Sequence, residues 1–114
     1  MPVEMPPPPQ IVVEADNGSA VRVRRGQTVE IDLPERPTTG FRWQVVTTPA
    51  CCVVREDSFA GPAPGAPPGA PGVHSWRLEA TRAGDGPFEV RLQPIAGRGG
   101  EPARTFSVTL TAVD

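Results

Sequence analysis

Arg36-Pro37-Thr38-Thr39-Gly40-Phe41-Arg42-Trp43 is the stretch on which the reading of this chain turns. Thr28-Val29-Glu30-Ile31-Asp32-Leu33 leads into it, with Val29, Ile31 and Leu33 on one face. Phe41-Arg42-Trp43-Gln44-Val45 leads out of it, with Phe41, Trp43 and Val45 on one face. Strand side chains alternate with period two, so both runs predict half-buried strands. The Pro-Thr-Thr-Gly segment between them carries little apolar surface, and core packing does not account for it. Pro37 fixes its own φ and pushes Arg36 toward extended geometry, and Gly40 permits a positive φ or close approach by another backbone. Such a loop is stiff, small-tipped and polar, suited to entering a narrow cleft on a partner.

The flanking sequence continues the alternating pattern. Ile11-Val12-Val13 ends at the turn signal Asp16-Asn17-Gly18, Ala20 to Arg24 is closed by Gly26, and Cys51 to Arg55 is a weaker strand candidate. His74, Trp76, Leu78 and Ala80 share one face of a strand. Phe88, Val90 and Leu92 do the same after a predicted Gly84-Asp85-Gly86-Pro87 turn, and Phe106, Val108, Leu110 and Ala112 follow. Nowhere does a 3.6-residue period persist. About seven or eight short strands with Gly/Pro turns predict an all-β sandwich, whose hairpin loops gather at its two ends, where binding commonly sits. Phe41, Trp43 and Trp76 are read as core residues, since all three lie on apolar faces.

A chain of 114 residues makes one domain. Residues 1–10 contain Pro6-Pro7-Pro8-Pro9 and read as a Pro-rich disordered leader, with residues 11–114 as the sandwich. A net charge of −2 argues against a nucleic-acid partner, and no apolar run approaches the roughly 20 residues of a membrane span. All 11 cationic residues are arginine, which reads as genomic bias and a solvated surface. Met1 to Gln10 has neither the basic nor the apolar region of a signal peptide. The expected compartment is cytoplasmic if Met1 is the native start, and periplasmic or secreted if a signal peptide was removed. Cys51 and Cys52 are neighbours whose Cα atoms lie about 3.8 Å apart, below the usual disulfide range, so two free thiols are expected. Gly61 to Gly72 is almost entirely Gly, Ala and Pro and reads as a loop, with Gly61–Pro68 its most mobile part.

Catalysis finds little support. His74 is the only histidine and hence the only candidate for a histidine general base, and Ser75 beside it faces the opposite way. The carboxylates look scattered, next to turns or arginines. A zinc site from Cys51, Cys52 and His74 would need adjacent thiols to converge on one ion, whereas paired zinc cysteines are usually separated by about two to four residues. Gly97-Arg98-Gly99-Gly100 lacks the lysine of a phosphate loop. The expectation is a binding protein with no enzyme activity, no metal and no cofactor, with His74 as a loop-flanking residue.

Pro37-Thr38-Thr39-Gly40-Phe41, with Trp43 two residues on, resembles the signature of the chagasin-type inhibitors of cysteine peptidases. The resemblance runs from about Ile11 to Val113 and takes in Gly26 to Pro34 and Phe106 to Leu110. It implies an immunoglobulin-like antiparallel β-sandwich. It also implies reversible, substrate-competitive inhibition of papain-family cysteine peptidases by a monomer, through three loops that form a wedge at one end. Carried onto this chain, the first loop is Arg36, Pro37, Thr38, Thr39 and Gly40, with Arg36 where the family has Asn. The second is Gly69-Ala70-Pro71-Gly72, with Pro71 in place of a Gly of the family's Gly-x-Gly-Gly. The third lies in Gln93 to Glu101, where Pro94 alone resembles the family's Arg-Pro-Trp, no Trp is present, and Pro94 and Ile95 are the candidate contacts. Two readings stay open. Thr38 and Thr39 also fit turn residues whose hydroxyls bond the backbone. The two altered loops also fit an immunoglobulin-like protein-binding or structural domain that has lost inhibition.

Overall fold

A computed structural model of the chain describes residues 8–36, 39–94 and 104–114. It consists of eight strands: β1 (Gln10–Val13), β2 (Ala20–Arg24), β3 (Thr28–Glu35), β4 (Phe41–Thr47), β5 (Cys52–Ala60), β6 (Gly72–Ala80), β7 (Gly84–Pro94) and β8 (Arg104–Val113). They form two four-stranded sheets, ordered β1-β3-β6-β5 and β2-β8-β7-β4. The alternation seen in the sequence is what faces the sheets together. Val29, Ile31 and Leu33 of β3, Trp76 and Leu78 of β6, Phe88 and Val90 of β7, and Phe106, Val108 and Leu110 of β8 are buried between them. Trp76 meets Phe88 edge to face, with ring centroids 6.0 Å apart. Burying each such side chain contributes about 1.5–3 kcal/mol.

The expected sandwich is present, with one correction to its sheets: each is mixed rather than wholly antiparallel. β1 runs parallel to β3 and β2 parallel to β8, while the other four pairs are antiparallel. A short 3-10 turn at Glu14–Asp16 carries the chain from one sheet edge to the other, so β1 and β2 pair with different neighbours.

Three further expectations change. The Gly84-Asp85-Gly86-Pro87 segment is not a turn but the start of β7, paired with residues 109–112 of β8. β4 reaches back only to Glu89 of β7, so Pro87 needs no ladder donor on that side. β5 does not stop at Arg55. A bulge between Val54 and Glu56 shifts its register, and the strand continues to Ala60. Gly72 belongs to β6 rather than to the loop before it. A Cβ there would sit 2.3 Å from the Ala60 carbonyl oxygen and 2.6 Å from Phe59 Cζ, so the close approach of β5 requires glycine.

Of the two core aromatics beside the motif, Trp43 is buried and Phe41 is half-buried. Cys51 and Cys52 are free, buried thiols with sulfurs 3.7 Å apart, near the end of the sandwich opposite the residue 36–40 loop.

Candidate functional site

Strand direction alone brings the candidate loops to one end. Glu35 of β3 pairs with Gly72 of β6, Ala60 of β5 with Val73, and Phe41 of β4 with Pro94 of β7. The loops that follow β3 and β5, and the strand ends Pro94 and Arg104, therefore lie together. Pro37, Thr38 and Ile95 are outside the described residues.

The first loop is closed by Arg36. Its carbonyl oxygen accepts the Thr39 N–H at 3.1 Å and the Thr39 hydroxyl at 2.7 Å. Gly40 follows with φ of +78°, a conformation that favours glycine. Thr39 and Gly40 are exposed. In the free protein the Thr39 hydroxyl thus satisfies the turn, as one of the two sequence readings expected.

The second loop is two turns in tandem. The Ala66 N–H reaches the Ala63 carbonyl at 3.0 Å, and the Ala70 N–H reaches the Pro67 carbonyl at 3.1 Å. Each turn has Pro at its second position and Gly at its third, Pro64-Gly65 and Pro68-Gly69, and both glycines have positive φ, +84° and +80°. This is the residue pattern of a type II turn, in which proline presets one φ and glycine accepts the other. The Gly/Ala/Pro run is thus a repeated turn. Arg36 joins the two loops, its Nε donating to the Gly69 carbonyl at 3.2 Å. Gly69, Ala70 and Pro71 belong to the loop, whereas Gly72 is packed in β6 beneath it.

Below the loops lies a buried polar cluster that sequence reasoning missed. Glu35 and His74 are 4% and 6% exposed. Glu35 Oε1 accepts the Trp43 backbone N–H at 2.7 Å and lies 3.0 Å from His74 Nδ1. His74 Nε2 lies 2.5 Å from Asp57 Oδ1. The imidazole stacks on Trp76, with centroids 4.1 Å apart, and Phe59 lies at its edge. The Trp43 indole N–H donates to the Pro34 carbonyl at 2.9 Å, a second tie across the base of the first loop. Between the free edges of β4 and β5 the sandwich opens as a cleft of about 650 Å³, lined by these groups with Arg42, Val45 and Phe59. Both ring nitrogens of His74 thus face carboxylate oxygens.

The signal for this cluster was in the alternation. Glu35 continues the inward series Val29, Ile31, Leu33, and His74 continues Trp76, Leu78, Ala80. Two polar residues in phase with a buried face require partners there. Asp57 was invisible because the β5 bulge changes which residues turn inward.

Burial pushes the Cys52 thiol up to about 12, and the hydrogen bond and charge of Cys51 add to that. A thiol held protonated is a poor nucleophile.

Residues 22–110 match the family described as Chagasin family peptidase inhibitor I42. The chain belongs to the chagasin family of peptidase inhibitors. The family is one of inhibitors, not of enzymes. Chagasin of Trypanosoma cruzi is 53% identical over 32 residues, a stretch covering 28% of this chain and 29% of that protein's length. The crystal structure of the cysteine protease inhibitor EhICP2 from Entamoeba histolytica superposes with a TM-score of 0.80 at 19% identity, over 92% of this chain and 96% of that one. The solution structure of Amebosin gives 0.76 at 22% identity, over 94% and 100%. PbICP-C, solved in complex with falcipain-2, gives 0.57 at 13% identity, over 99% and 95%. At these identities the structural likeness is one of fold.

Proposed function

We propose that this chagasin-family protein is a reversible, substrate-competitive inhibitor of papain-family cysteine peptidases. It acts as a monomer, needs no cofactor, and blocks the active-site cleft with the loops at one end of the sandwich. The observation that carries this reading is the exposed Thr39-Gly40 tip, closed on Arg36 within a Pro-Thr-Thr-Gly motif and braced to the second loop through Gly69. A braced loop loses less freedom on docking, so more of the contact energy remains as affinity. The proposed contacts are Arg36, Pro37, Thr38, Thr39 and Gly40, then Gly69, Ala70, Pro71 and Gly72, and in the third loop Pro94 and Ile95. Gly72 is buried in β6 and offers only its backbone.

Two features of the sequence favour a second reading, a family domain that binds another protein or serves only structurally. Pro71 removes a backbone donor, and residues 93–101 contain no Trp, a residue type enriched among interface hot spots. Titrating papain with the purified protein at several substrate concentrations separates the two. Inhibition that weakens as substrate rises, and that reverses on dilution, supports the first. Unchanged activity at high micromolar protein, with the fold intact, supports the second.

A further inference from the structure

A neutral imidazole has one N–H and one lone pair. His74 points both of its ring nitrogens at carboxylate oxygens, Glu35 on β3 at 3.0 Å and Asp57 on β5 at 2.5 Å. With both carboxylates ionised, both contacts are attractive only when the ring carries two protons. Glu35 Oε1 is shared between His74 and the Trp43 N–H, so the chain of contacts runs Asp57–His74–Glu35–Trp43 and crosses from one sheet to the other. Glu35 immediately precedes the first loop, Trp43 lies three residues after Gly40, and His74 lies two residues into the strand that leaves the second loop. The remaining charged group at the cleft is Arg42 of β4, and the other faces of the ring meet Trp76 and Phe59.

We infer that His74 is a positioning residue, a doubly protonated bridge between Glu35 and Asp57 that fixes the bases of the first and second loops relative to each other and makes peptidase binding pH-dependent. The inference deepens the inhibitory reading above and rests on it for the binding effect. Loss of one ring proton turns a lone pair toward a carboxylate oxygen. One of the two contacts then opens, and the ring no longer holds Glu35 and Asp57 together.

His74 is the only histidine, so its ring signals in a 15N-labelled sample are unambiguous. The experiment follows the ring nitrogens and the Gly40 and Gly69 amides over one pH titration. It also measures the inhibition constants of the parent and of His74→Gln against papain at each pH. Their ratio cancels the titration of the peptidase itself. The expected result is a ratio of about tenfold while the ring holds two protons, shrinking as the ring loses one, with the loop amides moving in step. A ratio that stays constant through the ring titration, or loop amides that ignore it, overturns the inference. Asp57→Asn guards against a folding defect in His74→Gln, because the Asp57 side chain is half exposed. It should melt like the parent and flatten the pH dependence, and an unaltered dependence counts against the bridge. If the parent inhibits at no pH, the inhibitory reading falls separately, and co-titration of the ring with the loop amides alone decides the positioning claim.

Discussion

The guanidinium of Arg36 donates to the carbonyl of Gly69 at 3.2 Å, tying the loop after β3 to the loop before β6. These residues are 33 positions apart, and the tie joins the start of the first loop to the last turn of the second, beside the paired strand ends Glu35 and Gly72. Arg36→Ala removes an exposed, charge-assisted bond that costs little in the free protein. Stability should stay within about 0.5 kcal/mol of the parent. Inhibition should weaken by about three- to tenfold, mainly through faster dissociation, because the second loop is no longer held. Melting curves and dissociation rates measured together check this, and an unchanged dissociation rate would show that the two loops act independently.

Gly72→Ala should be far more damaging than its place beside a loop suggests. The added Cβ would lie 2.3 Å from the Ala60 carbonyl oxygen, which is held in the β5–β6 ladder and cannot rotate away. Overpacking of this kind costs about 1–3 kcal/mol. The denaturation midpoint is the readout. A shift equivalent to less than about 0.5 kcal/mol would mean that β5 can move away at little cost.

Stability should fall in alkali through Cys52. Its thiol is raised from 9.0 to about 12, chiefly by burial. The folded chain therefore keeps this proton after the unfolded chain has released it. The contribution is complete below pH 9 and is lost as the pH rises toward 12, with a slope on the order of 1 kcal/mol per pH unit. The sequence contains no Tyr and no Lys, so few other groups titrate in this window. Denaturation of the parent and of Cys52→Ala at pH 8 and pH 10.5 should show a clear loss for the parent and a much smaller one for the variant. Equal losses would place the effect elsewhere.

The strands and their facing residues were legible because period-two alternation is written directly in residues such as Ile31, Trp76 and Val108. At the first loop, the positive φ of Gly40 was legible because glycine alone accepts it freely. What escaped reading was set by pairing between distant strands. The bulge in β5 turns Asp57 inward, the absence of a β4 partner lets Pro87 join a strand, and the approach of Phe59 and Ala60 makes Gly72 a packing position. None of these is a local property of the sequence. Glu35 and His74 were readable in principle, as polar residues in phase with a buried face. Their partnership needed the register of β3 against β6, which places Leu33 opposite His74.

The most direct test of the account is Thr39→Asp, assayed for melting and for inhibition of papain in the same buffer. Thr39 is exposed in the free protein, so the melting curve should barely move apart from the lost hydroxyl bond to Arg36, about 1 kcal/mol at most. A carboxylate carried by the loop tip into a cleft beside a thiolate meets like charge and a desolvation cost, so inhibition should be abolished. A variant that melts like the parent and inhibits equally well would contradict the account, because the Thr39-Gly40 tip would then not be the part that enters the cleft.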